Sequence, residues 1–133
     1  ARGETRTKPS ILHDTTRKTD MKYHGAKKLD IPKSGYDAVI EGMVNAVERG
    51  TCRRAAIDGV KIAAKSGTAQ VMVKGRKLTL AWMIAFAPVE NPEIAAAVIV
   101  EGEEPGDASG GATAGPIMRE MFAEYFKGRQ VAQ

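Results

Sequence analysis

A lysine, a serine, a glycine and a threonine stand side by side in the stretch AAKSGTAQV, residues 63–71. The ammonium group of Lys65 could attract an anionic substrate and take part in proton transfer. The hydroxyls of Ser66 and Thr68 would lie on one face of a strand, where they could bind a carboxylate. Gly67 would let an extended peptide lie close to that strand, and the Thr68 N–H could stabilise an oxyanion. This combination suits acyl transfer on a peptide that ends in a free carboxylate.

Two other interpretations of the same stretch are open. Residues 59–66 match the phosphate-binding pattern G-x4-G-K-S except at Ala64, which replaces the second glycine. That mechanism needs a glycine-rich loop and a helix that starts at the lysine, whereas the flanking valines and isoleucine favour a strand. Alternatively, the stretch is a polar kink in an edge strand, with Gly67 as a bulge and Lys65 as an exposed charge that prevents aggregation.

The elements that would position these residues follow from apolar spacing and turn signals. The spacing predicts a helix over 36–49, strands over about 60–73, 78–87 and 94–100, and a closing helix over 112–127. A hairpin turn is predicted at 74–76. The predicted fold class is therefore α+β, an antiparallel three-strand meander flanked by helices in residues 34–133.

The same patterns predict details of packing. Ser34 resembles an N-cap for the first helix, and Gly42 inside that helix suggests close packing against a neighbour. The strand over 94–100 is apolar enough to be covered on both faces. An acidic, glycine-rich stretch over 101–111 indicates a mobile loop. In the closing helix, five side chains are spaced for burial: Ile117, Met118, Met121, Phe122 and Tyr125.

Charged residues are distributed unevenly along the chain. Residues 1–33 carry nine Lys and Arg against four Asp and Glu, whereas residues 34–133 carry eleven against twelve. The basic segment has one aromatic residue, Tyr23, so it lacks the stacking side chains of a nucleic-acid platform. We expect an extended connector over 1–33 that does not bind nucleic acid. The one cysteine, Cys52, has no partner for a disulfide, and neither a metal nor another cofactor is expected.

At this point the sequence resembles the class B penicillin-binding proteins. KSGTAQ at residues 65–70 is similar to their third signature motif, the K-[ST]-G box. GYDAVIEGMVNAVERGT resembles the helix before that box, LAWMIAFAPVENPEIAAAVIVEG the two strands after it, and GGATAGPIMREMFAEYF the closing helix. The resemblance implies a partial penicillin-binding or β-lactamase-like transpeptidase domain, the C-terminal part of an enzyme that crosslinks peptidoglycan stem peptides by serine acyl transfer.

The resemblance also implies roles for individual residues. Lys65 and Thr68 correspond to catalytic positions, the latter through its N–H as half of the oxyanion hole. Substrate or β-lactam binding falls to Ser66, Gly67, Thr68 and, as a weaker correspondence, Gln70. None of the four serines is followed by Lys at the third position or by Asn at the second, so the Ser-x-x-Lys nucleophile motif and the Ser-x-Asn motif are absent from the chain. We expect the chain alone to be inactive.

Partners and location follow from the same resemblance. The implied ligands are D-Ala-D-Ala stem peptides and β-lactams bound by the complete domain, whose N-terminal half would be the main partner. Alone, the chain would expose an edge strand and an apolar helix face, which favours self-association. The implied location is the outer face of the bacterial cytoplasmic membrane, with an anchor elsewhere in the parent protein. The alternative is a non-catalytic relative of the fold that serves as an interaction module.

Overall fold

The structure is a computed structural model, and it describes residues 5–6, 27–102 and 106–129. Contacts divide the chain into two compact units, residues 1–38 and 39–133. In the first, strands β1 (Thr5–Arg6) and β2 (Lys27–Lys28) form an antiparallel pair. Most of the predicted connector over 1–33 lies outside the described residues, so its extended form remains a prediction. None of the described helices is long and apolar enough to cross a membrane.

Helix α1 (Lys33–Glu48) begins three residues before the predicted start at 36. Pro32 directly precedes it, and the Pro32 carbonyl accepts hydrogen bonds from the N–H groups of residues 35 and 36 at 3.0 and 3.1 Å. Ser34 therefore lies inside the helix, and its predicted N-cap role is wrong. Past the C-terminus, the Cys52 N–H donates to the Ala46 carbonyl at 2.8 Å, and this hydrogen bond closes the turn.

The three predicted strands form one antiparallel sheet in the order β3-β4-β5. They are β3 (Ala63–Val73), β4 (Arg76–Ala87) and β5 (Ile94–Gly102). A two-residue turn joins the first two strands, because Lys74 and Gly75 both have positive φ and Val73 pairs with Arg76. The turn is thus one residue shorter than predicted, and β4 starts two residues before the predicted 78.

Strand β3 starts three residues later than the predicted 60. Val60 pairs with Ile57 in an isolated bridge, across a turn in which Gly59 has a φ of +77°. The strand was predicted to start too early because the apolar residues just before Ala63 belong to this small loop. At the other side of the sheet, β5 continues two residues beyond the predicted 100 because Glu101 and Gly102 remain paired with β4.

The predicted closing helix is two elements. Residues Gly110–Ala114 form a π-helical turn, and α2 (Gly115–Phe126) follows. The Ser109 hydroxyl accepts a hydrogen bond from the Ala112 N–H at 3.3 Å, which starts the turn before the predicted 112. The mobile loop predicted over 101–111 is wrong at its C-terminal end, because Gly110 is buried in this turn. Residues 103–105 lie outside the described residues.

The core lies between one face of the sheet and helix α2. Met83 from β4 and Met118 and Phe122 from α2 are fully buried, with Val98 from β5 beside them. Burying side chains of this size contributes about 1.5–3 kcal/mol each. Phe126 also belongs to this core, and its ring packs edge-on against that of Phe122.

The apolar spacing overpredicted burial elsewhere. Ile117 and Met121 of α2 are each 43% exposed, and Ile99 of β5 is 51% exposed. Strand β5 alternates between a covered and an open face, so the prediction that both faces are covered is wrong within the described part of the chain. Apart from the backbone of its own helix, Gly42 of α1 has no described atom within 4 Å of where a Cβ would lie, so the expected close neighbour is not among the described residues.

Adjacent residues of α2 provide a test of the core. Phe122→Ala is expected to lower the free energy of unfolding by about 3–5 kcal/mol, because it removes a fully buried ring and leaves a cavity. Met121→Ala is the matched control and should cost less than about 1 kcal/mol, since that side chain is 43% exposed. Urea unfolding followed by the fluorescence of the one tryptophan, Trp82, measures both. Equal losses in the two variants would contradict this placement of the core.

Candidate functional site

Strand β3 carries all five residues that the sequence singled out. In the register with β4, Ser66 lies opposite Met83 and Thr68 opposite Ala81, so both hydroxyls are on the face that covers the core. Gln70 follows on the same face, opposite Thr79. Three polar side chains therefore stand in a row, two residues apart, along one side of the strand.

Lys65 and Gly67 lie on the opposite face of β3, across from Ile84 and Trp82. The side chain of Lys65 is exposed, and its Nζ donates a hydrogen bond to the carbonyl of Ser66. The ammonium group thus lies beside the strand backbone, where it is exposed to solvent. A Cβ at Gly67 would have only the Trp82 Cβ near it, at 3.7 Å, so the surface above the glycine is open.

The outer edge of β3 is unpaired among the described strands, because β3 is the first strand in the order β3-β4-β5. In an antiparallel ladder, alternate residues direct both backbone groups at the partner strand and the others direct them away. Gly67 and Trp82 form such an inward-facing pair. The evidence is that the Gly67 N, the Gly67 O and the Trp82 O all lie within 3 Å of one point, the ideal Cβ position of Gly110. The backbone groups of Ser66 and Thr68 accordingly face the open edge.

Each hydroxyl of the strand has a partner from another element. The Ser66 Oγ lies 2.8 Å from the Oγ1 of Thr51, in the turn after α1. The Thr68 Oγ1 accepts a hydrogen bond from the Gly110 N–H at 3.4 Å. Thr68 is exposed and Ser66 is half-buried, so both hydroxyls remain accessible to a ligand.

Two glycines allow this approach. A Cβ on Gly110 would lie 2.6 Å from the Gly67 carbonyl oxygen and 2.9 Å from the Gly67 nitrogen, closer than real side chains pack. A Cβ on Gly111 would lie 3.1 Å from the carbonyl carbon of Thr51 and closer still to its oxygen. The π-helical turn therefore holds β3 on one side and the Thr51 turn on the other, backbone against backbone.

Sequence reasoning missed Thr51, Gly110 and Gly111. The Gly-Gly pair before an apolar helix was a usable signal, since two adjacent glycines often mark a close backbone approach. Nothing in the sequence around Thr51 indicates its contact, because Ser66 is fifteen residues away. Cys52 beside it is fully buried in the core cluster, and its Sγ lies 3.8 Å from the Thr51 Oγ1.

Comparison with known proteins identifies the protein family to which this chain belongs. The fold matches the transpeptidase domain of the FtsI4 D,D-transpeptidase from Legionella pneumophila with a TM-score of 0.61 and 29% identity, over 72% of this chain and 37% of that one. The model of the family described as the penicillin binding protein transpeptidase domain matches residues 1–123. The chain belongs to that family, as the resemblance predicted, and the predicted α+β fold class is confirmed.

Individual relatives lie within the same family. The chain is 43% identical over 88 residues to the peptidoglycan D,D-transpeptidase PbpA of Mycolicibacterium smegmatis, which is 65% of this chain and 18% of that protein. It is 40% identical to penicillin-binding protein A from M. tuberculosis, solved as an imipenem acyl-enzyme complex, with a TM-score of 0.52 over 69% of this chain and 20% of that one. The chain spans about a fifth of the length of the curated relatives it matches.

Glycine replacements test the backbone contact. Gly110→Ala is expected to lower the free energy of unfolding by about 1–3 kcal/mol, because the new methyl group meets the backbone of Gly67 and something must shift. Gly42→Ala is the matched control in α1, where the Cβ position is open; it should raise stability by up to about 1 kcal/mol through helix propensity. Urea unfolding checks both signs. Stabilisation by Gly110→Ala would contradict the close approach.

Proposed function

We propose that this chain is the C-terminal part of a peptidoglycan D,D-transpeptidase domain and forms one wall of its catalytic cleft. The observation that carries the proposal is the open edge of β3, where Lys65, Ser66, Gly67 and Thr68 stand together with both hydroxyls supported from behind. Family membership and the relatives named as peptidoglycan D,D-transpeptidases support it.

The proposed reaction is serine acyl transfer. A serine Oγ attacks the carbonyl of the penultimate D-alanine of a stem peptide, the peptide bond breaks, and the terminal D-alanine leaves with a proton on its amine. The amine of a second stem peptide then attacks the resulting ester, forms the crosslink and releases the serine. β-Lactams acylate the same serine by opening their ring. No Ser-x-x-Lys occurs in the chain, so the nucleophile would come from another part of the domain.

Each residue of the strand has a proposed role in that reaction. Ser66 and Thr68 donate hydrogen bonds to the terminal carboxylate of the stem peptide or to the carboxylate of the β-lactam. The Thr68 N–H, which faces the open edge, stabilises the oxyanion of the tetrahedral intermediate. Gly67 leaves room for the peptide backbone, and Gln70 extends the polar row. Lys65 supplies positive potential and assists proton transfer.

Location and partners follow from the proposed reaction. Peptidoglycan lies outside the cytoplasmic membrane, so the domain would work on that side, in a parent protein that carries its own anchor. The direct partners would be stem peptides, β-lactams and the rest of the transpeptidase domain. The remaining candidate, a non-catalytic interaction module, is not favoured by the family match or by the enzyme names of the relatives.

Acylation by a penicillin tests the proposed function. The 133-residue chain should gain no mass with benzylpenicillin, whereas a complete transpeptidase that contains it should gain one penicilloyl group. In the complete protein, Lys65→Ala should slow acylation by at least about a hundredfold, as expected for loss of a group active in proton transfer. Lys61→Ala is the matched control, because Lys61 lies just before β3 and pairs with Glu90 at 3.3 Å. Intact-protein mass spectrometry over time measures all of these.

Two results would contradict the proposal. One is a complete protein that gains no mass at all. The other is an equal acylation rate in the Lys65→Ala and Lys61→Ala variants, which would remove Lys65 from the reaction.

The open face of the sheet is where we propose that the rest of the domain packs. Trp82 is 41% exposed, and Ile84 and Ile99 are each 51% exposed, on the face opposite α2. Apolar side chains that adjoin one another at a sheet surface indicate a surface that is covered in the working protein.

This surface predicts self-association of the chain when nothing covers it. We expect multi-angle light scattering of the 133-residue chain to give a mass above 14.2 kDa that rises with concentration. The double variant Ile84→Lys/Ile99→Lys should shift it toward the monomer, because it places charges on the apolar face. Met121→Lys on α2 is the matched control and should leave association unchanged. A monomer at every concentration would show that the face needs no cover.

A further inference from the structure

The two hydroxyls of β3 receive support of different kinds, and the difference bears on how they bind an anion. A hydroxyl has one proton to donate and two lone pairs with which to accept. The Gly110 N–H can only donate, so its bond to the Thr68 Oγ1 leaves the Thr68 proton free. The contact between Thr51 and Ser66 joins two hydroxyls 2.8 Å apart, and its direction depends on which one donates.

An anion at the strand edge would fix that direction. If Ser66 donates its one hydroxyl proton to a carboxylate, the Ser66 Oγ can only accept a hydrogen bond from Thr51. Thr51 then donates to Ser66, as Gly110 does to Thr68, and in the second contact of the Thr51 Oγ1, with the Cys52 Sγ at 3.8 Å, the thiol is the donor. Each hydroxyl would thus accept a hydrogen bond from its partner in the domain and donate one to the anion. Hydrogen bonds linked in this way strengthen one another.

The position of Thr51 is itself fixed. Its carbonyl packs against Gly111, where no side chain fits, and the next residue, Cys52, is fully buried and hydrogen-bonded to the carbonyl of Ala46. The same π-helical turn supplies both Gly110, which holds Thr68, and Gly111, which holds the Thr51 turn. One element therefore sets the distance between the two hydroxyl pairs.

We propose that Thr51 is a positioning residue for the carboxylate-binding hydroxyls: it donates to the Ser66 Oγ and directs the Ser66 proton at the substrate carboxylate. The proposal rests on the proposed function of Ser66 and adds a residue that lies outside the K-S-G-T strand. In this role Thr51 acts through Ser66, and its effect is limited to ligands that carry the carboxylate.

The test compares benzylpenicillin with its methyl ester in the complete transpeptidase that contains this chain. The measured quantity is the acid-to-ester ratio of second-order acylation rates. Thr51→Val, close in shape but without a hydroxyl, should lower the acid rate by about fivefold, the size of one hydrogen bond, and the ester rate by less than about twofold. Thr51→Ser should restore the ratio. If Thr51→Val does not fold, Thr51→Ala takes its place.

Further variants separate this inference from the proposed function. Thr79→Val removes a hydroxyl that accepts from the Gly106 N–H at 2.9 Å, and it should leave the ratio unchanged even if stability falls. Ser66→Ala should lower the ratio, and adding Thr51→Val to it should lower it no further, because the two act as one unit. A ratio that falls in Ser66→Ala but not in Thr51→Val would overturn the role of Thr51. A ratio unchanged in Ser66→Ala would overturn the carboxylate-binding role of Ser66 itself.

Discussion

The approach of the Gly110–Ala114 turn to the β3–β4 pair is the contact on which the rest of the site depends. Gly110 meets the backbone of Gly67 at a distance that admits no Cβ, and this fixes the turn against the strand. Helix α2 continues directly from the turn and covers the core face of the sheet with Met118 and Phe122. The same contact therefore seats the core helix and sets the Gly110 N–H below the Thr68 hydroxyl.

This dependence explains why the polar strand can sit beside a dry core. Ser66 and Thr68 are on the face that leads to Met83 and Ala81, both fully buried. Ser66 is half-buried and Thr68 is exposed, so the loss of a hydrogen-bond partner would be more costly at Ser66. Partners from the Thr51 turn and the π-helical turn satisfy both hydroxyls where the core ends. The described residues contain no buried side-chain nitrogen or oxygen without a hydrogen-bond partner. Stability and the arrangement of the site thus come from the same hydrogen bonds.

The existence and order of the main elements were predictable because they rest on local patterns. Alternation, turn glycines and the helical stripe are all visible within windows of ten to fifteen residues. The ends of the elements depended on single contacts instead, such as the pairing of Val60 with Ile57 and the Pro32 carbonyl before α1. The β3 row was visible as a motif. Its supports were not, since Thr68 and Gly110 are 42 residues apart and only the fold brings them together.

The sheet has two described edges, and their chemistry differs. Along β3, exposed Lys65, Thr68 and Gln70 give the edge a polar character, which discourages pairing with another strand. Strand β5 is built from alanine, valine and isoleucine up to Glu101, and its Ile99 is exposed. An apolar, unprotected edge is the one that invites a further strand. Extension of the sheet is therefore favoured at β5. The β3 edge stays free of a further apolar strand, and its outward backbone groups at Ser66 and Thr68 are those that the proposed function assigns to an extended peptide substrate.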